Sequence, residues 1–154
     1  MRHVNFYVEQ TPTIMYIYIL TLHTHIPQMQ HTQTKVGKQA TDNDVLSLSP
    51  EHRSGSHWWY HASGCSGSHV ILVNDSSTPN EEDILDAASL AALKSKCIGQ
   101  SVIKVSMTRA RNVSKPSGAK PGLVQLSGDV RTITLRKSEV ERRCKRLEET
   151  VVVN

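Results

Sequence analysis

Residues 58–107, WWYHASGCSGSHVILVNDSSTPNEEDILDAASLAALKSKCIGQSVIKVSM, carry the pattern that decides the fold. Trp58-Trp59-Tyr60-His61-Ala62 and His69-Val70-Ile71-Leu72-Val73 are rich in aromatic and β-branched residues. Ser63-Gly64-Cys65-Ser66-Gly67-Ser68 separates them, so they read as paired strands joined by a glycine loop. The tetrapeptide Ser-Gly-Ser-His stands before each strand, at 54–57 and 66–69. Thr78-Pro79-Asn80-Glu81 then reads as a capping box with proline at the first helical position. Ile84, Leu85, Ala88, Ala91 and Ala92 make one helical face, and Gly99 supplies a stop. Glu81, Glu82 and Asp83 complement the positive end of this helix, and Lys94 and Lys96 the negative end. Its alanine-rich face predicts close packing on a sheet. Val102 to Met107 alternates as the next strand.

Farther downstream, Leu123–Leu126 and Val130–Leu135 read as a second hairpin turned at Ser127-Gly128-Asp129. A last helix begins at the capping box Ser138-Glu139-Val140-Glu141. Val140, Cys144, Leu147 and Val151 line one side of it, and Arg142, Arg143, Lys145 and Arg146 cover the other. Upstream, Val36-Gly37-Lys38 and Asp42-Asn43-Asp44 predict a turn or short helix. Val45-Leu46-Ser47-Leu48 follows as a short alternating strand, and Ser49-Pro50-Glu51 as a loop or turn. Strands on both sides of one strong helix define an α+β domain over 36–148, with 149–154 as a tail. It is expected to hold a mostly antiparallel sheet, one packed central helix and a C-terminal basic helix.

Residues 1–35 have another texture. The apolar run Ile14–Leu22 falls well short of the roughly 20 residues of a membrane helix. Glu9 and the lack of a small-residue cleavage site argue against a signal peptide. The run suits one β-strand, and the His/Thr/Gln tract after it, to Lys35, is expected to be irregular. Residues 1–35 therefore read as an extension outside the domain, and no membrane partner is expected.

Charge is unevenly spread. The chain has 18 Lys and Arg against 14 Asp and Glu. From Lys104 to Leu147 there are twelve basic and three acidic residues, a local excess of nine. That density is the footprint of a polyanion partner, most often nucleic acid. Its focus is Lys115-Pro116-Ser117-Gly118-Ala119-Lys120-Pro121-Gly122. Two Lys-Pro pairs and two glycines exclude a helix or central strand and leave an irregular loop that presents ammonium groups. Arg109 and Arg111, from the adjoining strand end, join Lys115 and Lys120 as candidate phosphate contacts. Trp58, Trp59 and Tyr60 can stack on bases, although alternation sends at least one tryptophan into the core.

Other chemistries find less support. Cys65, Cys97 and Cys144 are an odd number at wide spacing, which argues against a disulfide framework and for a reducing compartment. His57, His61, Cys65 and His69 recur every four residues, but strand-rich sequence between them opposes convergence on a metal. Cys65, His61 or His69, and Asp75 have the residue types of nucleophilic catalysis without a local motif. Gly118 and Gly122 stand too close, with proline after Lys120, for a nucleotide P-loop. No metal, no cofactor and no enzymatic activity are expected.

Val-Gly-Lys…Asn-Asp-Val-Leu (36–46), Trp-Tyr-His-Ala (59–62), Gly-Ser-His-Val-Ile (67–71), an Ala-rich helix and Lys-Pro-Ser-Gly-Ala-Lys-Pro-Gly (115–122) occur in that order. Together they closely resemble the bacterial-type NFACT-R (DUF814) domain, the RNA-binding module of the NFACT proteins of ribosome quality control, over about residues 36–136. The resemblance implies binding to tRNA or rRNA at the large ribosomal subunit. RNA contacts are expected at Arg109, Arg111, Lys115, Lys120, Gly118, Gly122, His61 and His69. It implies an intracellular protein, cytoplasmic or, as an alternative, organellar (plastid). The N-terminal domain, helix-hairpin-helix and coiled coil of a full NFACT protein are not found. The chain thus reads as an isolated module or truncated product that cannot alone recruit the tailing tRNA. The strand expected just before Val36 is replaced by the His/Thr/Gln tract. A protein-interaction module, its basic C-terminal half docking an acidic partner, is the alternative reading.

Overall fold

The computed structural model describes residues 4–10, 14–21, 31–54, 57–74, 76–149 and 151–152. Its strands are β1 (Val4–Gln10), β2 (Ile14–Thr21), β3 (His31–Gly37), β4 (Trp58–Ala62), β5 (Val70–Val73), β6 (Val102–Arg109), β7 (Val113–Ser114), β8 (Gln125–Leu126), β9 (Arg131–Arg136) and β10 (Val151–Val152). Its helices are α1 (Ala40–Leu48), α2 (Pro50–Ser54), α3 (Glu81–Leu93) and α4 (Lys137–Glu149). One sheet runs in the order β10-β1-β2-β3-β5-β4-β6-β9, and β7 and β8 form a separate ribbon. Every neighbouring pair in the sheet is antiparallel except β1 and β10. The fold is α+β, as the pattern predicts.

Alternation along the strands gives the sheet two different faces. Val36, Tyr60, Val70, Leu72, Ile103, Val105, Ile133 and Leu135 point one way, where α3 and α4 cover them in the main core. Trp59 and Ile71 point the other way and pack with Leu46 of α1, Ala110 and Val113 in a smaller core. Burial of this kind contributes roughly 25 cal/mol per Å² of apolar surface removed from water. The alanines of α3, at positions 87, 88, 91 and 92, are fully buried, because the helix is covered by the sheet on one side and by α4 on the other.

Several local expectations are corrected. α3 starts at Glu81 with Asn80 as its cap, the Asn80 side chain accepting from the Glu82 amide at 2.8 Å. Pro79 therefore lies before the cap and not inside the first turn. The helix ends at Leu93, and Gly99 instead closes a 3₁₀ turn at Lys96–Gly99. Val45–Leu48 is helical: Leu46 and Ser47 are buried side by side while Val45 is exposed, a pattern that period two cannot produce. The Leu123–Leu135 segment is not a hairpin, since β8 pairs with β7 and β9 with β6. Ile133 and Leu135 are drawn under α3 and α4, which takes β9 to the edge of the main sheet. His31–Lys35 of the tract expected to be irregular is strand, and it supplies the strand thought missing before Val36. Residues 22–30 lie outside the described residues.

Cys65 and Cys97 are joined by a disulfide, with Cα atoms 6.0 Å apart, which corrects the reading from spacing. The bond joins the β4–β5 loop to the turn after α3. These segments also meet through Ser68 N to Lys94 O (3.0 Å) and Lys96 N to Ser66 O (2.9 Å). Thirty-two residues separate the two cysteines, so no local spacing rule connects them. Cys144 is buried and free, and burial, then Asp86, pushes its thiol up to about 12.

Candidate nucleic-acid interface

The Val36–Leu46 motif has a structural logic centred on two side chains of α1. Asn43 accepts from the His69 amide at 3.0 Å and donates to Gly67 O at 3.3 Å, stitching α1 to the entry of β5. A Cβ on Gly37 would collide with the Asn43 Oδ1, so only glycine fits there. Gly37→Ala is expected to cost about 2–3 kcal/mol in urea denaturation. A wild-type midpoint in that variant would contradict the contact.

Asp44 holds the Lys115–Gly122 loop. Its carboxylate pairs with Lys115 Nζ at 2.9 Å and accepts from the Gly122 amide at 3.0 Å. Lys115 Nζ also donates to Lys120 O at 2.8 Å and to Leu123 O at 3.3 Å. Lys115 thus closes the loop on itself and ties it to α1. Gly122 has φ +82°, and a Cβ there would lie 3.2 Å from Ala40 Cβ, so the glycine serves a close approach. Gly118, at φ +74°, turns the exposed tip.

Behind the loop lies a chain of hydrogen bonds. Trp59 Nε1 donates to Ser47 Oγ at 2.8 Å, and the same Oγ is hydrogen-bonded to His69 Nδ1 at 2.7 Å. Burial, then neighbouring His61, lowers His69 to about 4, partly countered by backbone groups of Asn43 and Gly122. His69 is therefore neutral and supports the loop from below. A second chain covers the β3 end of this face. Lys35 Nζ donates to His52 Nε2 at 3.3 Å, which leaves the proton on His52 Nδ1 to be donated to His57 Nδ1 at 2.9 Å. Burial, then Lys35, lowers His52 to about 4. Histidines held neutral by the fold charge only in the unfolded chain below its pKa of about 6.5. Stability should thus be level above pH 7 and fall from pH 6.5 toward 4. Urea midpoints measured across that range check this, and a midpoint constant from pH 7 to 5 would contradict it.

In front of the loop is a cleft of about 700 Å³. Its lysines come from three stretches of chain: Lys38 before α1, Lys94 and Lys96 at the end of α3 and in the following turn, and Lys120 in the loop. No carboxylate lines it, and none of these four lysines makes an ion pair among the described residues. His61 and Cys65 also line the cleft, along with Ser66, Gly67 and Ser68. The His61 ring lies 5.8 Å from Trp59 in a stacked arrangement and 5.1 Å edge-on to His69.

The structure divides the residues singled out from sequence. Lys120, Gly122 and His61 line the cleft. His69 and Lys115 stand behind it as supports, and Gly118 is at the loop tip. Arg109 is on the opposite face: it pairs across strands with Trp58, and its guanidinium sits 3.9 Å from that ring. Arg111 is exposed in the turn after β6. Trp59 is core and Trp58 half-buried. Sequence reasoning does not bring Lys38, Lys94 and Lys96 to the site, since the last two read only as complements to a helix end. A lysine pair beside a glycine-rich loop was the available signal. The reading of Arg143 and Arg146 as surface charge is also corrected. Arg143 is buried and reaches Asp86, Glu82 and Glu139, each at 3.1 Å, while Arg146 meets Asp86 at 2.6 Å.

The pattern of three histidines and one cysteine does not converge, since His57 turns to His52 and Cys65 is bonded to Cys97. Among the described residues no group of three or more His, Cys, Asp or Glu is placed to hold a metal. Asp75 lies outside the described residues. Among them, no helix is long and apolar enough to cross a membrane.

A mostly antiparallel sheet with helices on both faces and a lysine-lined cleft at a glycine-rich loop defines a basic α+β module. The family model for the NFACT protein RNA binding domain matches residues 22–128, and the chain belongs to that family. It is 36% identical over 110 residues to an Rqc2 homolog RqcH of Streptococcus suis, covering 71% of this chain and 19% of that one. It is 40% identical over 89 residues to the Bacillus subtilis Rqc2 homolog RqcH, covering 58% of this chain and 15% of that one. The chain therefore spans less than a fifth of these relatives' length. The solved C-terminal part of the Streptococcus suis fibronectin/fibrinogen-binding protein superposes with a TM-score of 0.64 at 31% identity. That match covers 87% of this chain and 49% of the solved one.

Proposed function

We propose that the chain is a non-catalytic RNA-binding module that grips phosphates of tRNA or rRNA at the large ribosomal subunit, in the rescue and quality control of stalled ribosomes. The observation that carries this reading is the cleft itself, whose lining includes four lysines from three stretches of chain and no carboxylate. Such a site accepts a polyanion through its backbone, and affinity falls steeply as salt rises. Membership in the NFACT RNA-binding family and the two RqcH relatives support the ribosomal setting. A ribosomal partner would place the protein in the cytoplasm, where the Cys65–Cys97 pair meets a reducing pool. The backbone bonds between the two loops would then hold them without the sulfur link.

The protein-interaction alternative loses much of its basis. Arg143 and Arg146 are engaged with α3, and the exposed part of α4 alternates Arg142 and Lys145 with Glu141 and Glu148. A tRNA filter-binding titration in a salt series separates the two readings: salt-sensitive binding supports the RNA module, and no binding at low salt supports docking of an acidic protein.

A further inference from the structure

We propose that the lysine cleft takes an unpaired nucleotide of a single-stranded RNA segment, with its base on the His61 ring and its phosphates at Lys96 and Lys120. This rests on the RNA-binding reading and specifies which part of an RNA the site holds.

Three observations carry it. The first is shape. Basic residues line a hollow of about 700 Å³, a volume within the range of small-molecule sites. A duplex presents a convex, continuous backbone, and its bases are stacked inside. Only a looped-out or terminal nucleotide can enter a hollow and meet charge on several sides. The second is His61. It lines the cleft, and its ring is backed by Trp59 and held edge-on by His69, so its orientation is fixed. Burial lowers its pKa, which leaves a neutral aromatic surface near pH 7. Unstacked bases in RNA loops and ends are commonly received by such a ring. The third is the lining of the opposite wall. Gly67 cannot carry a side chain, because a Cβ would come within 2.7 Å of Ser95 Cβ, so backbone forms the wall there. Lysines read phosphate without reading the base, so little preference among the four bases is expected.

The test is fluorescence anisotropy of the full chain with three labelled probes at one salt concentration: a mixed-sequence single-stranded hexaribonucleotide, the blunt-ended duplex of the same strand, and tRNA. The hexamer is expected to bind at least tenfold tighter than the duplex. His61→Ala should weaken the hexamer by about 5- to 100-fold, the effect of losing one stacked base. His61→Phe, which keeps an aromatic face, should restore most of it, separating stacking from a general loss of fold. Equal binding of duplex and hexamer, with His61→Ala silent, would overturn the nucleotide pocket while tRNA binding leaves the RNA reading intact. Failure of all three probes to bind would overturn both.

Discussion

Asp86→Ala is expected to destabilise the protein by about 3–5 kcal/mol, the cost of stranding a buried charge. Asp86 is 3% exposed, and its carboxylate accepts from Arg146 at 2.6 and 2.7 Å and from Arg143 at 3.1 Å. Arg143 is itself buried, with a side-chain exposure of 8%, and its hydrogen bonds to Glu82, Glu139 and Asp86 outweigh burial and raise its pKa. It stays charged whether or not Asp86 is present. Removing the carboxylate therefore leaves a guanidinium between α3 and α4 short of its most buried partner. Glu82 and Glu139 remain, but they are more exposed and their attraction is more strongly screened. Replacing both Asp86 and Arg143 by leucine should recover much of the loss, since an apolar pair removes both desolvation costs and Arg146 is exposed enough to turn to water. Urea unfolding followed by tryptophan fluorescence measures all three proteins. A single Asp86→Ala variant within 0.5 kcal/mol of wild type would show that the network contributes nothing.

The second large effect is on RNA. Lys96→Ala with Lys120→Ala removes two of the four cleft lysines, neither of which makes an ion pair among the described residues. Neither change disturbs the loop's attachment, which depends on the Lys115 side chain, the Gly122 amide and the Lys120 carbonyl. Affinity for tRNA at low salt should fall at least tenfold, because each phosphate contact contributes through released counterions. Lys115→Ala has a different expected signature. It opens the loop by removing the Asp44 pair and two carbonyl contacts, so it should lower stability together with binding.

How much of this was legible in the sequence follows from the range of each interaction. The Trp58–Val73 hairpin and β6 could be read because alternation is local and the glycines of the 63–68 loop mark its turn. α3 could be read from its alanine spacing, but its start was misplaced by two residues. Two capping residues, Thr78 and Asn80, compete there, and only the tertiary position of the helix chooses between them. Val45–Leu48 misled because one buried apolar residue, Leu46, is too few to set a period.

The site was half legible. The loop announces itself through its prolines, glycines and lysines. That Lys115 points inward depends on Asp44, 71 positions earlier, and no composition rule carries that distance. Lys38, Lys94 and Lys96 come together only because Asn43 and the Gly67–Ser95 bridge bring α1, the β4–β5 loop and the end of α3 side by side. Arg143 was unreadable for the same reason, its partners Glu82 and Asp86 being 61 and 57 residues away. In each case the residue type was visible and its partner was not.

The central claim, phosphate gripped at the lysine cleft, is tested most directly by nitrocellulose filter binding of tRNA between 50 and 300 mM salt. Wild type and the Lys96→Ala/Lys120→Ala variant are compared. The variant's plot of log affinity against log salt should be shallower by about 1.4–1.8, the release expected for two lost phosphate contacts, and its low-salt affinity at least tenfold weaker. Coincident plots, or no tRNA bound by wild type at 50 mM salt, would contradict it.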